Sequence, residues 1–163
     1  MKDFIKIPEV KKIQLKKNEK ERKRLEDFTN TKIEIGDDIS IEGESFNIYQ
    51  TKQILKAFGR GFKMDDALNL LDDEYGLEII NLMDFCKTGE RLKTLKGRII
   101  GTEGKTKSYI EKYCDVKLSV FGKTVSIIGR WDKINIAKEA LMKIISGRSH
   151  QTLYRWLEKL QVG

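Results

Sequence analysis

Gly97-Arg98-Ile99-Ile100-Gly101-Thr102-Glu103-Gly104-Lys105-Thr106-Lys107 is the stretch whose reading organises the rest of the chain. An apolar, basic run leads into two glycines three apart, and a second basic run leaves them. Neither glycine carries a Cβ, so the backbone can turn sharply there and let another chain come close. Lys105 to Tyr113 reads as a helix, which puts the turn at that helix's N-terminus. Unpaired N–H groups and the positive end of the helix dipole gather at such a point, and both suit an anion. Lys105 and Lys107 sit in the first turn, where the same dipole disfavours a cation. A local rule broken in this way marks a functional position. The stretch reads as a clamp for the phosphate backbone of a nucleic acid.

The remaining composition narrows the class. Of 163 residues, 39% are hydrophobic and 35% charged, with a single proline, which suits a compact, charge-rich chain rather than a disordered one. No apolar run approaches the roughly 18–20 residues of a membrane span, and no apolar signal core follows Met1-Lys2-Asp3-Phe4. Cys86 and Cys114 lack metal-ligand spacing and His150 is the single histidine, so neither a disulfide framework nor a zinc site is expected. These features lead to the expectation of a cytoplasmic protein with reduced thiols and no cofactor. The net charge of +7 is uneven: residues 1–34 carry 11 Lys/Arg against 7 Asp/Glu, residues 35–76 carry 4 against 9, and residues 77–163 carry 17 against 9. Basic ends around an acidic middle suit a polyanion on one surface and a protein on another.

Along the chain, Phe4 to Ile7 alternates and stops at Pro8, as a strand end does. A charged segment follows, then a helical pattern over Glu19 to Phe28. Lys32 to Ile35 and Ile39 to Glu42 read as strands around the turn Gly36-Asp37-Asp38. Ser45 reads as the cap of a long helix through Phe58, Gly59-Arg60-Gly61 breaks it, and Met64 to Leu71 reads as one amphipathic helix with Asp65 and Asp66 facing solvent. The order then starts again: a strand over Leu77 to Leu82, a helix over Arg91 to Ile100, the glycine turn and its helix. Strands over Val116–Val120 and Thr124–Ile128 follow, then a helix from Trp131 to Ile145 and a final amphipathic segment capped by Ser149. A shift of about 85 residues aligns Leu25 with Ile110, Lys32 with Lys117, Gly43 with Gly129 and Lys52 with Lys138. The chain thus reads as two copies of a strand–helix–helix–strand–strand–helix unit, packed together and divided into 1–76 and 77–163.

That order, with a Gly-x-x-Gly turn between the first two helices, resembles the type I KH domain, an α+β fold whose loop clamps about four nucleotides of single-stranded nucleic acid. Gly59-Arg60-Gly61-Phe62, the run Ala67 to Tyr75, and Gly97-Arg98-Ile99-Ile100-Gly101 into Gly104-Lys105-Thr106-Lys107 are similar to one subfamily. It is the archaeal branch of the two-KH ribosomal RNA-processing proteins, called partner-of-Nob-one or Dim-two. The resemblance implies a non-catalytic assembly factor that binds small-subunit rRNA near its 3′ end and cooperates with the Nob-one endonuclease. The first unit departs from the pattern, because the positions matching the loop, around Leu15-Lys16-Lys17-Asn18, contain no glycine. It is expected to keep the fold and to have lost the clamp.

In the second unit the expected RNA-binding set is Gly97, Arg98, Ile99, Ile100, Gly101, Thr102, Glu103, Gly104, Lys105, Thr106, Lys107, Val116, Lys117 and Leu118. The glycines give close approach, N–H groups near Thr102 to Lys105 donate to phosphate, and Arg98, Lys105 and Lys107 supply charge. Ile99, Ile100, Val116 and Leu118 read either as the floor of a groove for bases, with Lys117 at its rim, or as ordinary core. At least two of the four are expected in the core. Glu103 opposes a phosphate. Gly101 to Thr106 also reads Gly-Thr-Glu-Gly-Lys-Thr, but a nucleotide P-loop needs glycine where Ile99 stands, and follows a strand rather than a helix. The remaining alternatives are a KH regulator of other RNAs in translation or decay, and a protein-docking adaptor. An adaptor would use the acidic run Asp65 to Glu74 or the C-terminal Leu153 to Leu157.

Overall fold

In the computed structural model, residues 1–162 are described, with side chains through Leu160; Gly163, the end of the expected second unit, lies outside them. Contacts divide the chain into two compact units, Met1–Asp73 and Glu74–Gly163. Unit 1 runs β1 (Lys2–Ile5), α1 (Glu9–Lys17), α2 (Glu19–Thr29), β2 (Lys32–Ile35), β3 (Ile39–Glu42), α3 (Ser45–Gly59) and α4 (Met64–Ala67). Unit 2 runs β4 (Tyr75–Asn81), α5 (Gly89–Ile100), α6 (Lys105–Cys114), β5 (Lys117–Phe121), β6 (Thr124–Arg130), α7 (Trp131–Ile145) and α8 (His150–Val162). Each unit holds a three-stranded antiparallel sheet, in the orders β1-β3-β2 and β4-β6-β5. The last strand of each unit therefore lies in the middle of its sheet.

The likeness of the two units reaches individual hydrogen bonds. Glu26 reaches from α2 to accept the Ile33 N–H at 2.7 Å, and Glu111 reaches from α6 to accept the Leu118 N–H at 2.9 Å. Asn30 and Asp115 end those helices in the left-handed region, with φ of 54° and 55°. Lys52 on α3 bonds Asp3 on β1 at 3.0 Å and holds its carboxyl below the usual value, while Lys138 on α7 bonds Glu78 on β4 at 2.9 Å. Gly61 and Gly147, both at φ 98°, follow the long helices. Glu26 and Glu111 each tie the last turns of a helix to the start of the strand that follows it.

Several elements differ from expectation. β1 starts at Lys2 and leaves the ladder after Ile5, before Ile7 and Pro8. α1 occupies the charged segment, where Leu15 is buried but Val10 and Ile13 are 62% and 43% exposed, so no apolar stripe announces the helix. Ser45 is the first residue of α3 rather than its cap; Glu44 stands at the cap position, and the Ser45 hydroxyl turns to the Met1 sulfur. Met64–Leu71 is not one helix: α4 tightens after one turn into a 3-10 turn over Leu68–Leu71, and Asp65 meets Arg24 at 2.6 Å. Leu82 leaves β4 for a 3-10 turn, and Gly129 lies within β6 instead of closing the hairpin.

In unit 2 the sheet's inner face, α5, α6 and α7 enclose one core that includes Ile80, Ile99, Ile110, Val125, Ile127 and Leu141. α8 belongs to that core through Leu153 and Leu157, both fully buried. Each buried leucine contributes about 1.5–3 kcal/mol relative to exposure, so α8 is an integral layer of the unit. Ser149 Oγ accepts the Thr152 N–H at 3.1 Å and starts the helix. Among the described residues, no helix is long and apolar enough to cross a membrane.

Candidate nucleic-acid interface

Four residues join α5 to α6, and their backbone explains both glycines. Gly101 takes φ 75°, ψ 173°, a region essentially reserved for glycine. A Cβ at Gly101 would also lie 2.3 Å from Thr106 Oγ1, so packing forbids a side chain there. Gly104 takes the left-handed φ 74°, ψ 14°, and a Cβ would meet nothing within 4 Å. The two are therefore glycine for different reasons: Gly101 lies against the protein, and Gly104 faces open space. Between them Glu103 is forced to φ 57°, an uncommon conformation for a residue with a side chain, and it is exposed. The backbone bonds of the turn are Gly101 N–H to Gly97 O, Gly104 N–H to Gly101 O and Lys105 N–H to Thr102 O. Among the described residues these leave the N–H groups of Thr102 and Glu103 without a backbone acceptor, at the start of a ten-residue helix.

The other expected residues separate into those that can meet a ligand and those that cannot. Lys105 and Lys117 are exposed, with no carboxylate partner among the described residues. Lys107 is half-buried and lies 3.5 Å from Glu111 Oε1, so part of its charge is already balanced. Arg98 donates from its guanidinium to the Arg148 carbonyl. Thr106 is 1% exposed, and its hydroxyl lies 3.0 Å from that of Tyr154. Ile99, Val116 and Leu118 are core side chains, because the interior face of the sheet and α5 both need apolar cover; a groove floor cannot use them. Ile100, half-buried, is the one of those four with surface to offer. Gly97 is exposed in the last turn of α5.

Sequence reasoning missed two groups. Lys87, Arg91 and Lys93 are exposed on or just before α5, the helix leading into the turn; their clustering in sequence was the available signal. The second group is Arg148, His150 and Tyr154, which touch the turn's flanks from α8 and the loop before it. Their distance along the chain hid them. The C-terminal segment, which an adaptor would use for docking, turns Leu153 and Leu157 into the core. Behind the turn, Tyr109 donates to Glu158 Oε1 at 2.6 Å, and this bond, with a further one to Tyr113 and burial, raises the phenol above its usual pKa. Burial pushes the Cys114 thiol up to about 11. Among the described residues no group of three His, Cys, Asp or Glu side chains converges as a metal site.

Unit 1 handles the same junction differently. Only Asn18 separates α1 from α2, and Leu15 to Lys17, expected in a loop, are helical. Asn18 Oδ1 accepts the Glu21 N–H at 3.1 Å and so occupies the helix end with its own side chain.

A three-stranded antiparallel sheet covered by helices, with a Gly-x-x-Gly turn between the first two, makes unit 2 a type I KH domain. A family model described as a eukaryotic-type KH domain (KH-domain type I), that of the second KH domain of PNO1, matches residues 76–162. The chain belongs to the PNO1/Dim2 family of KH proteins. A KH domain-containing protein of Methanocaldococcus jannaschii is 37% identical over 145 residues, covering 85% of this chain and 64% of the relative. The pre-rRNA-processing protein pno1 of Aspergillus fumigatus is 36% identical over 113 residues, covering 67% of this chain and 44% of the relative. The chain thus spans less than two thirds of either curated relative. A solved complex of a/eIF2alpha, aDim2p and rRNA from Pyrococcus horikoshii superposes with a TM-score of 0.83 at 35% identity, covering 98% of this chain and 93% of that one.

Proposed function

We propose that this chain is a non-catalytic RNA-binding factor in maturation of the small-subunit rRNA, gripping single-stranded rRNA through unit 2. The observation that carries the proposal is the turn Gly101–Gly104: a left-handed glycine facing open space, beside backbone N–H groups at a helix start. Those donors take a phosphate, Lys105 and Lys117 add charge, and Ile100 and Gly97 lie where a strand passes. Relatives described as pre-rRNA-processing, and one solved with rRNA, support rRNA as the ligand. The region near the rRNA 3′ end, cooperation with the Nob-one endonuclease and a cytoplasmic setting belong to the same reading.

Unit 1 is the first of two tandem KH folds, with its clamp degenerate. Its element order, sheet order and matched hydrogen bonds support the fold, and the single-residue junction at Asn18 supports the loss. Gly104→Asp is the direct test of the grip. Its side chain enters open space, and aspartate tolerates the left-handed region, so the fold survives. The added charge opposes phosphate. RNA binding is expected to vanish with thermal unfolding little changed, and undiminished RNA affinity refutes the grip.

A further inference from the structure

One segment, Arg148 to Tyr154, holds the glycine turn from both sides. On the entering side, His150 Nε2–H donates to the Arg98 carbonyl at 2.9 Å, and the Arg98 guanidinium donates back to the Arg148 carbonyl. On the leaving side, the Tyr154 hydroxyl lies 3.0 Å from Thr106 Oγ1. That oxygen is the atom against which Gly101 packs, since a Cβ on Gly101 would come within 2.3 Å of it. A continuous stack therefore runs from α8 through Tyr154 and Thr106 to the first glycine of the turn. The Tyr154 ring is itself fixed by Tyr109, with centroids 4.2 Å apart, and Tyr109 bonds Glu158 further along α8.

The turn needs such support. Glu103 occupies a backbone region that a residue with a side chain visits seldom, and such conformations persist where surrounding structure over-determines them. Donors already held in the bound geometry also bind more tightly, because ordering them costs nothing at the moment of association. We propose that α8 is a positioning element for the RNA grip, with Tyr154 as the positioning residue, acting on Gly101 through Thr106. The proposal rests on the RNA reading of the turn. It assigns a role in binding to a helix through its contacts with the turn's flanks.

Tyr154→Phe removes one oxygen and keeps the ring, and Thr106→Val keeps the volume and removes the partner hydroxyl. Binding of the whole chain to a randomised pool of short single-stranded RNA is measured well below each variant's own unfolding temperature. Each change is expected to weaken binding roughly two- to tenfold, the range of one hydrogen bond. The double variant is expected to lose no more than the weaker-binding single one, as for two members of one contact. The salt dependence stays at the parent value, because the same phosphates are met, while amide exchange at Thr102 and Glu103 quickens. Gly104→Asp runs beside them. Loss of binding in Gly104→Asp with parental binding in both hydroxyl variants, or additive losses in the double variant, overturns the positioning role and leaves the RNA reading standing. Parental binding by Gly104→Asp overturns both.

Discussion

Gly97 is the residue whose presence the fold does not explain. It lies exposed within α5, and a Cβ added there would meet nothing within 4 Å. Glycine in a helix costs roughly 0.5–1 kcal/mol relative to alanine. Gly97→Ala is therefore expected to raise the unfolding midpoint while lowering RNA affinity, two effects that a purely structural glycine would not set in opposition. Equal or tighter RNA binding by the stabilised variant would remove Gly97 from the interface. Individual residues were legible in the sequence where backbone geometry alone demands them, as at Gly101 and Gly104. They were illegible where the partner is remote, as for the Arg98 guanidinium and the Arg148 carbonyl fifty residues away. Likewise Val116 and Leu118 follow the turn's helix in sequence, but both are buried in the core of unit 2.

At the scale of elements, the junction between the first two helices is where the two units differ. In unit 2 it is four residues long and leaves donors open, whereas in unit 1 the Asn18 carboxamide closes the end of α2. Asn18→Ala removes that cap and should cost roughly 0.5–2 kcal/mol of stability. RNA affinity should stay at the parent value, and a fall in affinity greater than the experimental error would mean that unit 1 also grips RNA. The elements around this junction divide by how they bury apolar area. α7 and α8 were readable because their buried residues recur at helical spacing, Ile134, Ala137 and Leu141 in one and Leu153 and Leu157 in the other. α1 was not, since only Leu15 of its apolar residues is buried and its place follows from the repeat rather than from its own pattern. α4 defeats the periodicity argument for a related reason: Leu68 and Leu71 are each only half-buried, so nothing compels the helix to continue.

For the whole molecule, the charge count overstates what an RNA strand would feel. Of the net +7, part of the Lys107 charge is balanced by Glu111 within unit 2, and Glu103 stands exposed in the turn. If two to four phosphates are neutralised, log K against log salt should have a slope of about −1.4 to −2.8 on a single strand. A slope near zero would exclude a phosphate grip, and one far steeper would require the basic surface of α1 and α2 as well. The overall plan was the most legible level, because element order repeats even where residues do not. The cap at Asn18 also bears on how unit 1 could be altered. The two units share a carboxylate staple, a helix-ending left-handed residue and a strand-to-helix ion pair. To build a turn like that of unit 2 in unit 1 would require added residues, new glycines and removal of the Asn18 side chain together, since any one alone leaves the helix end occupied or strains it. No single substitution converts one junction into the other.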